Sequence, residues 1–196
     1  MFHTPVETRF AIVDRLIAHG DRPLAFPAAM DLCRHQVTSS GTDGDALRFA
    51  AEARQSASRN AFKPAFTAAD WRAFSSFCVS QRLPAGCRVL IPGRADRTLR
   101  LVVEGSLWQE SAADASRTKA LLPGTIVGED ALFSDTPADL DVRTLEDSLV
   151  LELSLSRQRE LTASCPAIAF ELLRATGAVI AARGRMSARR EEFATN

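Results

Sequence analysis

The residues whose types and spacing could do chemistry are concentrated at positions 123–144, which read P-G-T-I-V-G-E-D-A-L-F-S-D-T-P-A-D-L-D-V-R-T. A Pro-Gly turn leads into a short β-branched run, Thr125, Ile126 and Val127, which breaks at Gly128 into Glu129, Asp130, Ala131, Leu132 and Phe133, a single turn of helix. A second break over 134–137 returns the chain to an extended segment. Glycine lets the backbone approach a ligand closely, and the free N–H groups of a helix start favour negative charge. The segment therefore reads as an anion cradle, with Gly128, Glu129, Asp130 and Ala131 as candidate binding residues.

Other chemistry finds little support. The sequence has no G-x-S-x-G elbow, no G-x-x-x-x-G-K-[ST] loop and no H-E-x-x-H, and it contains three histidines. Glu129 has no acid or nucleophile beside it in sequence to complete an acid–base pair. The expectation is a protein that is not an enzyme. Cys33 and His35, with His3 and His19 elsewhere, do not supply the three or four convergent ligands that a metal site needs. Asp43 and Asp45 lie in a Gly-rich stretch, but no Glu closes a twelve-residue calcium loop, so residues 39–44 read as a linker. Cys33, Cys78, Cys87 and Cys165 are far apart with no C-x-x-C pair, and free buried thiols are expected.

The chain has 196 residues, 46% hydrophobic, enough to bury a core. Lys+Arg and Asp+Glu are both 24, so no global basic field would collect nucleic acid or an anionic membrane. With no apolar run of membrane-spanning length and no signal-peptide core, a cytoplasmic location is expected. Helical spacing marks 6–17, 26–37 and 45–58. Thr67 stands as the N-cap of a short helix whose apolar side is Trp71, Phe74 and Phe77. Eight short strand-like runs follow at 78–83, 88–91, 98–104, 106–111, 118–122, 125–127, 141–145 and 148–153, divided by Pro/Gly and acidic turns. The fold expected is α+β: an eight-stranded antiparallel, jelly-roll-like β-roll flanked by N-terminal helices and a long C-terminal helix. A helical extension is expected at 1–62 and the roll with its final helix at 63–196. Helical segments at 156–164 and 166–193 complete the chain. In the second, Ile168, Leu172, Leu173, Thr176, Val179, Ile180 and Met186 form an apolar stripe suited to self-association as a homodimer. The basic tail Arg183, Arg185, Arg189 and Arg190 matches what the helix macrodipole favours at a C-terminus, and no nucleic-acid contact is assigned to it.

Over residues 66–190, roughly two-thirds of the chain, the sequence resembles the cyclic-nucleotide-binding domain of the catabolite-activator and protein-kinase-A regulatory-subunit superfamily. The resemblance is carried by L-P-A-G at 83–86, L-R-L-V-V-E-G-S-L at 99–107 and, most specifically, L-L-P-G-T-I-V-G-E at 121–129. It implies a β-roll whose phosphate-binding cassette is the opening segment, followed by hinge and lid helices. In that family the Gly-Glu step gives the ligand a backbone N–H and its ribose hydroxyl a carboxylate, and Gly128 and Glu129 match it. The family's cassette continues with an Arg that pairs with the cyclic phosphate. Here Ala138 stands at that position, followed by Asp139, Leu140 and Asp141. Arg143 falls at an outward strand position and is not a substitute. The cassette is degenerate. The expected function is a non-enzymatic regulatory or sensor module with weak or altered nucleotide binding, its candidate residues Gly128, Glu129, Asp130, Ala131, Ala138, Asp139 and Leu140. The alternative is a ligand-independent protein–protein interaction scaffold. No cofactor is expected beyond a nucleotide-like small molecule.

Overall fold

The computed structural model describes residues 36–37, 42–56, 61–94, 96–111, 118–130, 137 and 140–194. The β-branched runs become β2 (Val79–Leu83), β3 (Arg88–Leu90), β4 (Thr98–Glu104), β5 (Leu107–Ser111), β6 (Thr118–Leu121), β7 (Ile126–Val127), β8 (Leu140–Thr144) and β9 (Ser148–Ser154), with a two-residue strand β1 (Gln36–Val37) before them. Two sheets result, ordered β1-β2-β9-β4-β7 and β3-β8-β5-β6, and every pairing is antiparallel. The α+β roll expected from the sequence is the fold observed.

Four helices accompany it among the described residues: α1 (Thr42–Gln55), α2 (Ala68–Ser75), α3 (Leu155–Ser164) and α4 (Pro166–Ala194). Thr67 caps α2 in a complete capping box, its Oγ1 accepting from Asp70 N at 3.2 Å while Asp70 Oδ2 accepts from Thr67 N at 2.8 Å.

Three local expectations are corrected. The helix expected at 26–37 is strand at Gln36 and Val37, which pair with Arg82 and Gln81. The ladder offered by the open edge of β2 outweighs local helical periodicity there. Residues 42–44 are not linker but the start of α1, whose acidic first turn suits the macrodipole. Asp43 and Asp45 accept hydrogen bonds from the Ser75 and Ser80 hydroxyls, tying α1 to α2 and β2. Cys78 and Cys165 are free, but Cys87 is disulfide-bonded to a partner outside the described residues. The helix expected at 6–17 lies outside the described residues.

Strand alternation divides the interior in two. On β4 and β9, Leu99, Leu101, Leu151 and Leu153 face the helices and join Phe49, Phe62, Trp71, Phe74, Leu161 and Leu172 in one core. Val102 and Val150 face the other way and meet Leu107, Leu121, Val127 and Val142 between the sheets. Phe49 and Ala53 of α1 belong to the first core, so this helix and the roll share buried surface. On α4, Ile168, Leu172, Thr176 and Val179 are buried against the chain's own core. They are not available to a partner copy, which corrects the membership of the expected dimer stripe. Among the described side chains, the large exposed apolar residues of α4 are Phe170, Leu173 and Ile180. The Met186 side chain is outside the described residues.

Candidate functional site

The opening segment is held in place from two sides. After β6, the turn brings Gly124 (φ +84°) against α1, where a Cβ would lie 2.6 Å from Ala53 Cα. β7 then pairs with β4, Val127 opposite Arg100 and Ile126 opposite Leu101. Gly128 ends the strand at φ +85°, a conformation that disfavours any L side chain, and a Cβ there would collide with the Thr98 carbonyl oxygen. The glycine is therefore required for the chain to cross β4 and enter the helical pair Glu129–Asp130. Glu129 is 2% exposed, while Asp130 is at the surface.

The Glu129 carboxylate is met by the first arginine of the basic tail that the helix macrodipole alone would explain. Arg183 of α4 pairs through Nη1 with Glu129 Oε1, and its Nη2 donates to the Ile126 carbonyl at 2.7 Å. Burial pushes the Arg183 guanidinium down to about 10, because its charge has lost water. The pairing is incomplete: Glu129 Oε2 and Arg183 Nε are buried with no hydrogen-bond partner. A sequence signal for this did exist. Leu172, Thr176, Val179 and Arg183 repeat at four, three and four residues, so Arg183 continues the buried face of α4. The macrodipole argument displaced that reading.

Behind the cassette, between the sheets, lies a second charged group. Arg100 donates from Nε to Glu152 Oε1 at 2.6 Å and pairs through Nη2 with Asp96 at 2.8 Å, its side chain 11% exposed. A Cβ on Gly128 would lie 3.9 Å from Arg100 Nη1, so this cluster adjoins the Gly-Glu step. Leu140, expected near the ligand, packs on the core between the sheets and pairs with Ser111. Arg143 is held by Asp141 at 3.1 Å and stands opposite Trp108, on the strand face away from Val142 and Leu107. This is the outward strand position expected for it. Ala131, Ala138 and Asp139 lie outside the described residues. Among the described residues no group of three His, Cys, Asp or Glu side chains could hold a metal, and no helix is long and apolar enough to cross a membrane.

A double-sheet antiparallel roll, with a Gly-Glu step between β7 and β8 and a long helix reaching back to that step, is the architecture of a cyclic-nucleotide-binding-type β-roll. Residues 80–165 match the family model of the cyclic nucleotide-binding domain, and this segment of the chain belongs to that family. Among solved structures, a cyclic nucleotide-binding domain from Methylobacillus flagellatus is similar at 19% identity and a TM-score of 0.66, over 88% of this chain and 94% of that one. The catabolite activator protein of Thermus thermophilus is similar at 21% identity and a TM-score of 0.57, over 67% of this chain and 61% of that one. Oxidized CprK in complex with o-chlorophenolacetic acid is similar at 17% identity and a TM-score of 0.50, over 67% of this chain and 55% of that one. At these identities the likeness is one of fold. No curated protein matches the chain.

Proposed function

We propose that this chain is a non-enzymatic, cytoplasmic sensor module in which a small molecule bound at the cassette changes the docking of α4. The observation that carries the reading is the Glu129–Arg183 pair. It joins the one carboxylate of the Gly-Glu step to the long helix, so anything that engages Glu129 must compete with Arg183 or recruit it. Cyclic AMP and cyclic GMP bind weakly on this reading, because Ala138 and Asp139 replace the cation that would meet their phosphate. An Arg–phosphate hydrogen-bonded pair contributes roughly 1.5–3 kcal/mol, so Ala138→Arg with Asp139→Ala should tighten cyclic AMP by at least about tenfold. That CprK is described with a chlorinated aromatic acid shows the fold in a complex with a molecule other than a nucleotide.

A scaffold that needs no ligand is the second reading, favoured by the fact that Arg183 already occupies the carboxylate. Hydrogen exchange on α4, read alongside a melting-temperature screen of cyclic mono- and dinucleotides, separates the two. A ligand that raises the melting temperature and alters protection of α4 around residue 183 supports the sensor. Exchange in α4 that no ligand changes supports the scaffold.

A further inference from the structure

The space between the sheets changes character along its length. At one end Val102, Leu107, Val142 and Val150 close it with apolar side chains. Two residues further along the same strand faces stand Arg100 on β4, Glu152 on β9, and Gln109 followed by Ser111 on β5. Gln109 is 9% exposed and Ser111 3%, yet Gln109 Oε1 and Ser111 Oγ have no hydrogen-bond partner. Buried polar atoms are nearly always paired, and leaving one unpaired is costly. Here two occur side by side, on a strand that could carry valine or leucine at both positions.

The charges around them are already matched. Arg100 is held by Glu152 and Asp96, and Arg183 by Glu129. Lys119, opposite Gln109 in the β5–β6 register, is itself engaged. Among the described residues around this space, no unmatched cation is available to a phosphate. The atoms left open here are two acceptors, Gln109 Oε1 and Glu129 Oε2, one donor, Arg183 Nε, and the Ser111 hydroxyl, which can do either. At Glu129 the unpartnered Arg183 Nε belongs to the same ion pair, and a ligand hydroxyl, which both donates and accepts, suits either open atom.

We infer that Gln109 and Ser111 are ligand-recognising residues, and that the roll takes an uncharged, donor-rich molecule of nucleoside type rather than a cyclic phosphate. This rests on the sensor reading and specifies its ligand. The test compares adenosine with cyclic AMP by calorimetry on the full chain, because the two share base and sugar and differ in charge. Adenosine should bind at least tenfold more tightly, and Gln109→Leu and Ser111→Ala should each weaken it several-fold. Without ligand, both variants should melt higher than the parent, by about 2–4 °C, since each removes an unpaired buried polar atom. Tighter binding of cyclic AMP would overturn the inference while leaving the sensor reading intact. Lower melting of both ligand-free variants would show that the two side chains serve the fold, and would overturn it too. Absence of binding heat from either probe at millimolar concentration rejects the nucleoside class, and the sensor reading then stands or falls on α4 exchange.

Discussion

Arg183 on α4 and Glu129 after the Gly128 turn form an ion pair in which 17% and 3% of the respective side chains are exposed. Removing one partner of a buried pair leaves a charge without water or counter-ion, at a cost of about 3–5 kcal/mol, whereas removing both is close to neutral. Arg183→Met and Glu129→Gln should each lower stability, with Arg183→Met the more damaging because the carboxylate it leaves is the more deeply buried of the two charges. The double variant should recover most of the loss. Urea denaturation of the four proteins gives the coupling directly, and additive losses would mean that the two residues do not act as a unit.

Two glycine-to-alanine changes should have opposite signs. At Gly128 (φ +85°) the added Cβ meets the Thr98 carbonyl, a backbone atom that cannot swing aside. The left-handed conformation alone costs about 1–2 kcal/mol, so Gly128→Ala should lose at least about 2 kcal/mol and loosen β7 from β4. Gly177 lies inside α4 with nothing within 4 Å of its Cβ position. There alanine should gain about 0.5–1 kcal/mol through helix propensity. Urea midpoints at a dilution that keeps the chain monomeric check both, and equal signs would contradict the backbone argument.

The strands were legible because β-branched runs lie between Pro/Gly turns, and β4 falls at the expected positions, Thr98–Glu104. The turn at Gly128 was legible for the same reason: a glycine directly after a β-branched run marks a break in the strand. Gln109 and Ser111 were not legible as interior residues, since a polar residue on a strand reads as outward until the register against Val142 and Leu140 is known. Arg183 was hidden by a competing rule. A cation near a helix C-terminus suits the macrodipole wherever it points, and only the path of α4 over β7 shows that this one turns inward. The start of α1 at Thr42 was masked by glycine and serine, which locally favour a loop, and the docking of Asp43 and Asp45 on Ser75 and Ser80 outweighs that preference.

Acid should release the first turns of α4. The Arg174 guanidinium hydrogen-bonded to Glu171 holds its carboxyl down to about 2, opposed by burial and aided by the Ala65 N–H. The folded value lies below the unfolded one. The contribution is therefore fully present above about pH 4.5 and is lost as pH falls toward 2. Glu171→Gln should flatten the dependence of melting temperature on pH across that window and leave it unchanged above pH 5. Asp141 is also held low, by Arg88 and Arg143 against the opposing effect of burial, so some acid sensitivity should remain. An unaltered slope in Glu171→Gln would assign the acid response to other carboxylates.

The outer face of α4 should pair two copies of the chain. Phe170, Leu173 and Ile180 are 69%, 51% and 38% exposed, and Gly177 and Gly184 have open space at their Cβ positions. Together these residues repeat at three and four, the spacing that brings one seam of a helix against another. The glycines allow close approach, and the large apolar residues lose water when the seam closes. The predicted dimer therefore uses the face opposite Leu172, Thr176 and Val179, which are buried in the chain's own core. Leu173→Glu and Ile180→Glu should each weaken association by at least about tenfold, because a charge would be buried at the centre of a small interface. Neither should lower the stability of the monomer, where both positions meet solvent. Sedimentation of the parent at high micromolar concentration is the check. A monomer mass there, or a dimer indifferent to both substitutions, would remove the seam as the site of association.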